Sequence, residues 1–327
     1  MDRQLNKRIP KDTDSPISVS IRDGINDCFY YGSAVLVNSD GEILWHIGNP
    51  QKLVFERSLV KPFRAFALLK TGAADIFDLD EGDIAIIAGS HSGTIEHVER
   101  VRKILAKGRI SCDKLNCGKR LPLGEDAIWE LVNTCTPILD ACQCDCSGEH
   151  AGILLLCCHL GFSIDNYINL SHPIQRVLKE SISIFSSANE IYEPSVIDMC
   201  GMPMSAVPLH ELSNRFLKLA MHRYNDIYAE RLINAISLNP YLYTGKNRLL
   251  GEIIIRSNGR IIGKDGAGGI YTFVWLKENV SLTVKVGSGT HRAALPVIEK
   301  AAKAVGLDFP NVRDCINNNE FAIIYDI

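Results

Sequence analysis

The sequence predicts an α+β fold in which a mainly antiparallel sheet, built from both chain ends and covered by helices, lies beside a mostly helical middle region. Alternating apolar residues indicate strands near both ends, and apolar residues at helical spacing dominate between them. Strands that flank helices in this order favour one sheet assembled from both ends. We expect a single domain over residues 1–327, with sheet-forming parts at about 16–57 and 260–305 and a helical middle at about 58–250.

The first strands lead into a helix that has a serine at its start. Residues 17–22 predict a strand, and residues 33–48 predict a hairpin that turns at Asp40-Gly41. A helix follows directly, because apolar residues recur at helical spacing. Its apolar face is formed by Leu59, Phe63, Phe66 and Leu69.

Helices are predicted through most of the middle region. After a loop at residues 89–94, the repeat of Val98, Val101 and Ile104 predicts a helix, and loop-rich sequence follows to about residue 148. Four further helices are expected. They lie at residues 150–160, 172–187, 207–222 and 226–238.

The last part of the chain returns to strands. Residues 252–269 leave two alternatives, because Asn258-Gly259 could turn a hairpin or Gly259 could cap a helix that enters a strand. Residues 270–275 and the alternating apolar residues at 280–286 predict two strands. A final helix is expected around residues 293–305.

Composition is that of an ordinary globular protein. The chain has 327 residues, 46% of them hydrophobic and 22% charged, which suffices for one large domain or two closely packed ones. A net charge of -3 without charge runs argues against nucleic-acid binding and membrane-surface attraction. The N-terminal stretch lacks an apolar signal segment, and the most apolar run, residues 151–162, is too short for a bilayer. We therefore expect a soluble, cytoplasmic protein with no nucleic-acid and no membrane partner.

The cysteines support an intracellular location. Eleven cysteines form an odd, irregularly spaced set that does not resemble a disulfide framework. We expect most of them to be reduced, buried residues. The cluster Cys142, Cys144 and Cys146 in CQCDCSGEH stands apart from the others.

Ser58 and Lys61 are the first candidate catalytic residues. Residues three apart share a helix face, so the Ser58 hydroxyl lies within reach of the Lys61 amine. A lysine accepts a proton only when burial or a nearby cation lowers its pKa, and serine needs such a base to become a nucleophile. Pro62 restricts the pair to the first helical turn or the residues just before it. Alone, the same spacing is common on solvated helix faces.

Two later stretches carry residues that could assist this pair. Ser90 follows an apolar run in the loop GSHS and could relay a proton, although glycine and serine also form simple turns there. Lys264 stands between glycines in GKDG, where a cation could lower the pKa of Lys61 or hold a substrate carboxylate. Lys-Asp-Gly is equally a common turn sequence.

Seven short motifs occur in a fixed order along the chain. They are RSLVKP at 57–62, ASHSG at 88–92, NCGKRLPL at 116–123, CSGEHAG at 146–152, HPIQ at 172–175, MCGMP at 199–203 and GKDGA at 263–267. The order of the Ser-x-x-Lys pair, the serine loop and the lysine-glycine segment resembles that of serine β-lactamases, penicillin-binding proteins and serine glutaminases, and the motifs themselves are similar to those of the L-asparaginase II family. That resemblance covers about residues 16 to 305 and implies a serine β-lactamase-like fold.

The resemblance implies an amidohydrolase that cleaves L-asparagine to L-aspartate and ammonia in a homodimer. Carried over by motif, Ser58 is the nucleophile, Lys61 its base, Ser90 the second serine and Lys264 the second lysine. Burial and the charge of Lys264 would keep Lys61 neutral. Unpaired amides at the helix start are the expected oxyanion donors. Arg57 is a candidate for substrate binding by its position alone.

The same family carries zinc near its nucleophile, held by a cysteine and a lysine of a C-S-G-K-H motif and by a distant cysteine. Cys146 and Cys200 match the two cysteines, but Glu149 stands where the family has lysine. A carboxylate is a zinc ligand, and the change alters the charge and affinity of the site. No organic cofactor is expected, and the chemical step as argued does not require zinc.

Two classes of function stay open at this point. Within the amidohydrolases, glutamine or another small amide could replace asparagine. The other class is a catalytically inactive homologue whose cysteine cluster binds metal or responds to oxidants.

Overall fold

The computed structural model describes residues 14–133, 139–187, 196–315 and 321–322. Its architecture is α+β, with one large antiparallel sheet and helices packed around it, as predicted. The strands are β1 Ser15–Arg22, β2 Ile25–Val37, β3 Ile43–Ile47, β4 Leu53–Phe55, β5 Val196–Ile197, β6 Pro203–Met204, β7 Ala206–Pro208, β8 Ile261–Gly266, β9 Ile270–Trp275, β10 Val280–Val286 and β11 Phe321–Ala322.

Helices account for most of the chain between the strands. The short 3₁₀ turns are Arg57–Val60, Cys112–Lys114, Ala141–Gln143 and Arg292–Ala294. The α-helices are α1 Lys61–Lys70, α2 Ala73–Ile76, α3 Glu81–Ala88, α4 Ile95–Lys107, α5 Glu125–Val132, α6 Ser147–His159, α7 Pro173–Ser183, α8 Leu209–His222, α9 Ile227–Leu238, α10 Pro240–Tyr243, α11 Leu249–Arg256 and α12 Leu295–Ala304. No helix in the described ranges is both long and apolar enough to cross a membrane.

The large sheet joins the two ends of the chain. Its order is β11-β1-β2-β10-β9-β8, and β3 also pairs with β2. The first half of β2 pairs with β1, and its second half pairs with both β3 and β10. The prediction of one sheet assembled from both ends is therefore confirmed. Two small antiparallel pairs, β4 with β7 and β5 with β6, lie outside it.

Helix α1 is enclosed by other helices. Every residue from Lys61 to Leu69 is buried, and the helix packs against α3, α6, α7 and α9. The sequence predicted one buried face, whereas the structure surrounds the helix on all sides. Helix α8 packs on β2, β9 and β10, so the sheet and the helical region meet along it.

The structure resolves the ambiguous stretch at residues 252–269 in favour of a helix that enters a strand. Helix α11 ends before Gly259, which has φ +69° and donates its amide to the Ile254 carbonyl at 2.9 Å. Glycine is favoured there because a side chain disfavours the left-handed conformation. Strand β8 then begins at Ile261.

The elements that were not predicted include the first half of β2, the helices α2, α3, α5 and α10, and the strand pair β5 and β6. The first half of β2 forms a hairpin with β1 through Asp23-Gly24, although most of its side chains are exposed. Helix α5 interrupts the stretch that was expected to be loop. The other predicted helices and strands are confirmed, and the single-domain boundary over residues 1–327 stays a prediction.

Candidate active site

Ser58 lies at a sharp corner between β4 and α1. A 3₁₀ turn at Arg57–Val60 runs directly into the helix. Arg57 has φ +50°, a conformation that costs a non-glycine residue about 1–3 kcal/mol. Buried Glu56 holds the corner, because its carboxylate accepts hydrogen bonds from Arg215 Nη1 at 2.9 Å and from the Ser205 amide at 3.0 Å. The corner fixes the position of Ser58.

The Ser90 hydroxyl connects the two predicted lysines. Lys61 Nζ donates to Ser90 Oγ at 3.0 Å and to the Gly89 carbonyl at 3.0 Å. Lys264 Nζ, which extends from β8, donates to the same Ser90 oxygen at 3.0 Å. A hydroxyl oxygen has two lone pairs, so Ser90 accepts from both amines and keeps its own proton for donation. The structure thus brings together three residues from distant parts of the chain.

Ser58 and Lys61 line one small cavity, together with Glu149 and Cys200. Among the described residues, the Ser58 hydroxyl has no hydrogen-bond partner. The side chain is 9% exposed and also lines the larger pocket in front of it. Its oxygen is therefore available to a molecule bound in that pocket.

The two lysines differ in how readily they lose a proton. Burial lowers the pKa of Lys264 to about 8; Asp265 opposes this shift and the charge of Lys61 adds to it. Burial also acts against the charged form of Lys61, but the Glu149 carboxylate beside it raises the pKa of Lys61 above its ordinary value. This arrangement does not favour Lys61 as the neutral amine, because the Glu149 carboxylate lies 3.8 Å from Lys61 Nζ and stabilises its charged form.

A cavity of about 260 Å³ opens in front of Ser58 and Ser90. Two ion pairs form part of its wall. Arg57 Nη1 lies 3.0 Å from Asp198 Oδ1, and Arg248 pairs with Asp265. Arg57, the predicted substrate-binding residue, therefore lines the pocket, but its guanidinium already has a carboxylate partner.

Cys146, Glu149 and Cys200 form a buried cluster whose ligand atoms lie within 4.8 Å of one another. Two sulfurs and a carboxylate oxygen are a donor set that suits Zn²⁺. Hydrogen bonding between neighbouring thiols, together with burial, raises the pKa of Cys146 and Cys200, so a metal ion would have to displace their protons. Arg64 Nη1 already lies 2.5 Å from Glu149 Oε1. Two thiols and one carboxylate at this spacing fit a metal ion, which would share Glu149 with Arg64.

Sequence reasoning gave no role to three charged residues at the site. Arg64 follows Lys61 by three positions, and this helical spacing was a usable signal for a shared face. Asp265 accepts a hydrogen bond from Lys264 Nζ at 2.8 Å and stands inside the GKDGA motif. No motif near Arg248 in the sequence indicated a role at the site. This residue lies in the segment between α10 and α11, and only the tertiary fold brings that segment to the pocket.

Comparison with known proteins gives a family match over nearly the whole chain. The family model described as L-asparaginase II matches residues 19–322. The search of curated protein sequences found no significant match.

Similar solved structures are β-lactamases at low sequence identity. A candidate β-lactamase from Bacteroides dorei is 13% identical, with 84% of this chain and 93% of that chain covered and a TM-score of 0.44. A β-lactamase from Mycobacterium bovis is 12% identical, with 84% and 94% covered and a TM-score of 0.34. A class C β-lactamase mutant is 11% identical, with 83% and 92% covered and a TM-score of 0.35.

Proposed function

This chain belongs to the L-asparaginase II family, and on that premise we propose that it hydrolyses L-asparagine to L-aspartate and ammonia through an acyl-enzyme on Ser58. One observation carries the proposal: the Ser90 hydroxyl links the amines of Lys61 and Lys264 beside a pocket that Ser58 lines. This arrangement supplies a nucleophile and a route by which its proton can be removed.

The proton route runs through Ser90. With a pKa of about 8, Lys264 is partly neutral near physiological pH. The Ser90 hydroxyl can give its proton to neutral Lys264 and take one from the Lys61 ammonium. This exchange leaves Lys61 neutral and Lys264 charged, with no net change in protons. Lys61 then serves as the base for Ser58 even though its own surroundings favour the ammonium form.

Acylation and deacylation use the same groups. As Ser58 Oγ bonds to the side-chain amide carbon, its proton passes to Lys61, and the charged lysine or Ser90 gives a proton to the departing nitrogen. The carbon–nitrogen bond breaks and ammonia leaves. Water then attacks the aspartyl ester, and its proton returns through the same amine. Backbone amides at the 3₁₀ turn that begins at Arg57 are the expected oxyanion donors.

We also propose that Cys146, Glu149 and Cys200 hold zinc. When bound, the metal would take the place of the two thiol protons and would hold the three side chains in fixed positions beside Lys61. Cys200→Ala is expected to lower the zinc content per chain, measured by elemental analysis, whereas Cys157→Ala, which removes a buried thiol outside the cluster, should leave it unchanged. Equal zinc in Cys200→Ala and wild type would remove Cys200 from the ligand set.

Ammonia release from L-asparagine by the purified protein tests the proposed activity. Ser58→Ala should lose the activity by at least about 1,000-fold, because the covalent step is removed. Ser92→Ala is the matched control, since the Ser92 hydroxyl donates to the Thr244 carbonyl at 3.0 Å and contacts neither lysine. Full activity in Ser58→Ala would overturn the nucleophile assignment. The same assay with L-glutamine separates the two amidohydrolase alternatives, and no release from either amide would favour an inactive homologue.

The homodimer that the family resemblance implies and the cytoplasmic location expected from the sequence stay predictions. Sedimentation of the purified protein measures the first of them.

A further inference from the structure

We propose that Asp145 binds the α-ammonium group and Arg120 the α-carboxylate of the substrate, so that the pocket selects α-amino acid amides. The inference rests on the proposed function, because it names the groups that recognise the substrate at that same site. Both residues line the cavity that contains Ser58.

The argument begins with the charged groups of the pocket wall. Most of them are already paired within the protein. Arg57 has Asp198 at 3.0 Å, and Asp265 is shared by Arg248 and Lys264. Among the described residues that line the cavity, Asp145 and Arg120 are the carboxylate and the guanidinium that have no ion-pair partner. One unpaired anion and one unpaired cation are the complement of an amino acid zwitterion.

The backbone of Asp145 is fixed by a hydrogen bond, but its carboxylate has only weak hydrogen-bond donors. Its carbonyl oxygen accepts the His91 amide at 3.2 Å, which fixes the backbone. Its carboxylate accepts hydrogen bonds only from thiols in the described ranges, from Cys144 Sγ at 3.8 Å and from Cys146 Sγ at 3.5 Å. Thiols are weak donors, so the partly buried carboxylate lacks a strong partner.

Arg120 lies at the rim of the same cavity. One of its terminal nitrogens donates to the Met199 carbonyl, which orients the guanidinium. Its other donors have no partner among the residues that the structure describes. A guanidinium presents paired donors that match a carboxylate in a bidentate geometry. Arg57 and Arg248 are less suited, because a substrate would have to compete with their carboxylate partners.

The consequence is a defined substrate class. An amide that lacks the α-ammonium group leaves Asp145 unpaired, and one that lacks the α-carboxylate leaves Arg120 unpaired. Charge-assisted hydrogen bonds of this kind change affinity by about 10- to 100-fold. L-Asparagine should therefore react better than succinamic acid, which lacks the amino group, and better than 3-aminopropanamide, which lacks the carboxylate.

The decisive experiment pairs each residue with the substrate group that it recognises. Asp145→Asn should lower kcat/KM for L-asparagine by about 10- to 100-fold and leave kcat/KM for succinamic acid unchanged, because that amide has no ammonium group to lose. Arg120→Gln should lower kcat/KM for L-asparagine similarly and leave 3-aminopropanamide unaffected. Asp40→Asn and Arg176→Gln, which change exposed residues outside the cavity, are the matched controls. If a variant lowered kcat/KM equally for L-asparagine and for the amide that lacks the recognised group, the assignment of that residue would be overturned. The same holds if the equal loss arose from a change in metal content.

A binding measurement keeps this inference separate from the proposed reaction. Calorimetric titration of the wild-type protein with L-aspartate and with succinate compares two ligands that differ by the ammonium group. L-Aspartate should bind about 10- to 100-fold more tightly, and Asp145→Asn should abolish the difference. Equal binding of both ligands, or binding of neither, would overturn the inference. L-Aspartate binding without any asparaginase activity would overturn only the proposed reaction.

Discussion

Ser90 lies between two buried lysines whose protonation depends on the charged groups around them. Two neighbouring ammonium groups in a low-dielectric interior disfavour each other, so one amine loses its proton more readily. Lys264 is that amine, because Lys61 lies 3.8 Å from the Glu149 carboxylate. Asp265 keeps Lys264 from losing its charge entirely, since its carboxylate lies 2.8 Å from the amine. The location of these anions, rather than the Ser-x-x-Lys spacing, sets which lysine is neutral.

The pH dependence of activity should report the proton on Lys264. Because the proposed relay needs neutral Lys264 and its pKa is about 8, kcat/KM should rise with pH and level off above about 8. A pH–rate profile over about pH 6 to 9 measures this rise. Lys264→Arg keeps the positive charge at every pH in this range, so it should lower activity by about 100-fold or more. A flat wild-type profile would contradict the role of Lys264 as proton acceptor.

Helices α1 and α6 are joined by a buried ion pair. Arg64 on α1 and Glu149 on α6 lie 2.5 Å apart, and their side chains are 6% and 2% exposed. Lys61 Nζ lies 3.8 Å from the other Glu149 oxygen, so one carboxylate contacts two cations on the helix that follows Ser58. Arg64 also donates to the Pro203 carbonyl in β6. Glu149 therefore helps to fix α1 whether or not it ligates a metal ion.

Removing the Glu149 charge should destabilise the protein strongly. Glu149→Gln leaves the Arg64 guanidinium buried without a counter-charge, so the free energy of unfolding should fall by about 3–5 kcal/mol. Urea denaturation of metal-depleted protein measures the loss. Glu180→Gln is the control, because the Arg176–Glu180 pair has side chains 84% and 66% exposed and contributes less than about 1 kcal/mol. A loss no greater than that of the control would show that the pair does not hold α1 to α6.

The pairing of β2 with β10 joins the two ends of the chain into one sheet beside the site. It joins residues 32–37 to residues 281–286 and places β8, with Lys264, on the same sheet as the first strands. The 3₁₀ turn at Arg57–Val60 contacts β8. Ser58 and Lys264 therefore depend on contacts between parts of the chain that are far apart in sequence, and such contacts form late and slowly during folding.

Core substitutions in this pairing should show the coupling. Leu36 on β2 lies opposite Leu282 on β10, and both are fully buried. Leu36→Ala and Leu282→Ala should each lower the free energy of unfolding by about 2–5 kcal/mol. Their double variant should lose less than the sum, since directly opposed side chains share a contact. Additive losses in denaturation experiments would mean that the two side chains do not pack on each other.

Local patterns in the sequence predicted most of the elements correctly. Strands and helices with buried apolar periodicity were found because their side chains report which face is covered. The first half of β2 was missed because residues 25–29 are exposed and show no alternation. The Asp23-Gly24 dipeptide was the usable signal for that hairpin. Helix α5 was missed because it is short, and length is much of what distinguishes a helix from a loop.

The sequence by itself determined the family, the α+β class and the candidate residues Ser58, Lys61, Ser90 and Lys264, because these follow from residue types at short spacing. Only the tertiary structure decided which charged side chains lie next to one another. It placed Glu149 between Arg64 and Lys61, lowered the pKa of Lys264, and left Asp145 and Arg120 without ion-pair partners among the described residues. Electrostatic effects depend on distance and burial in space. For residues that lie far apart in the sequence, neither the distance between them nor their burial can be read from the sequence.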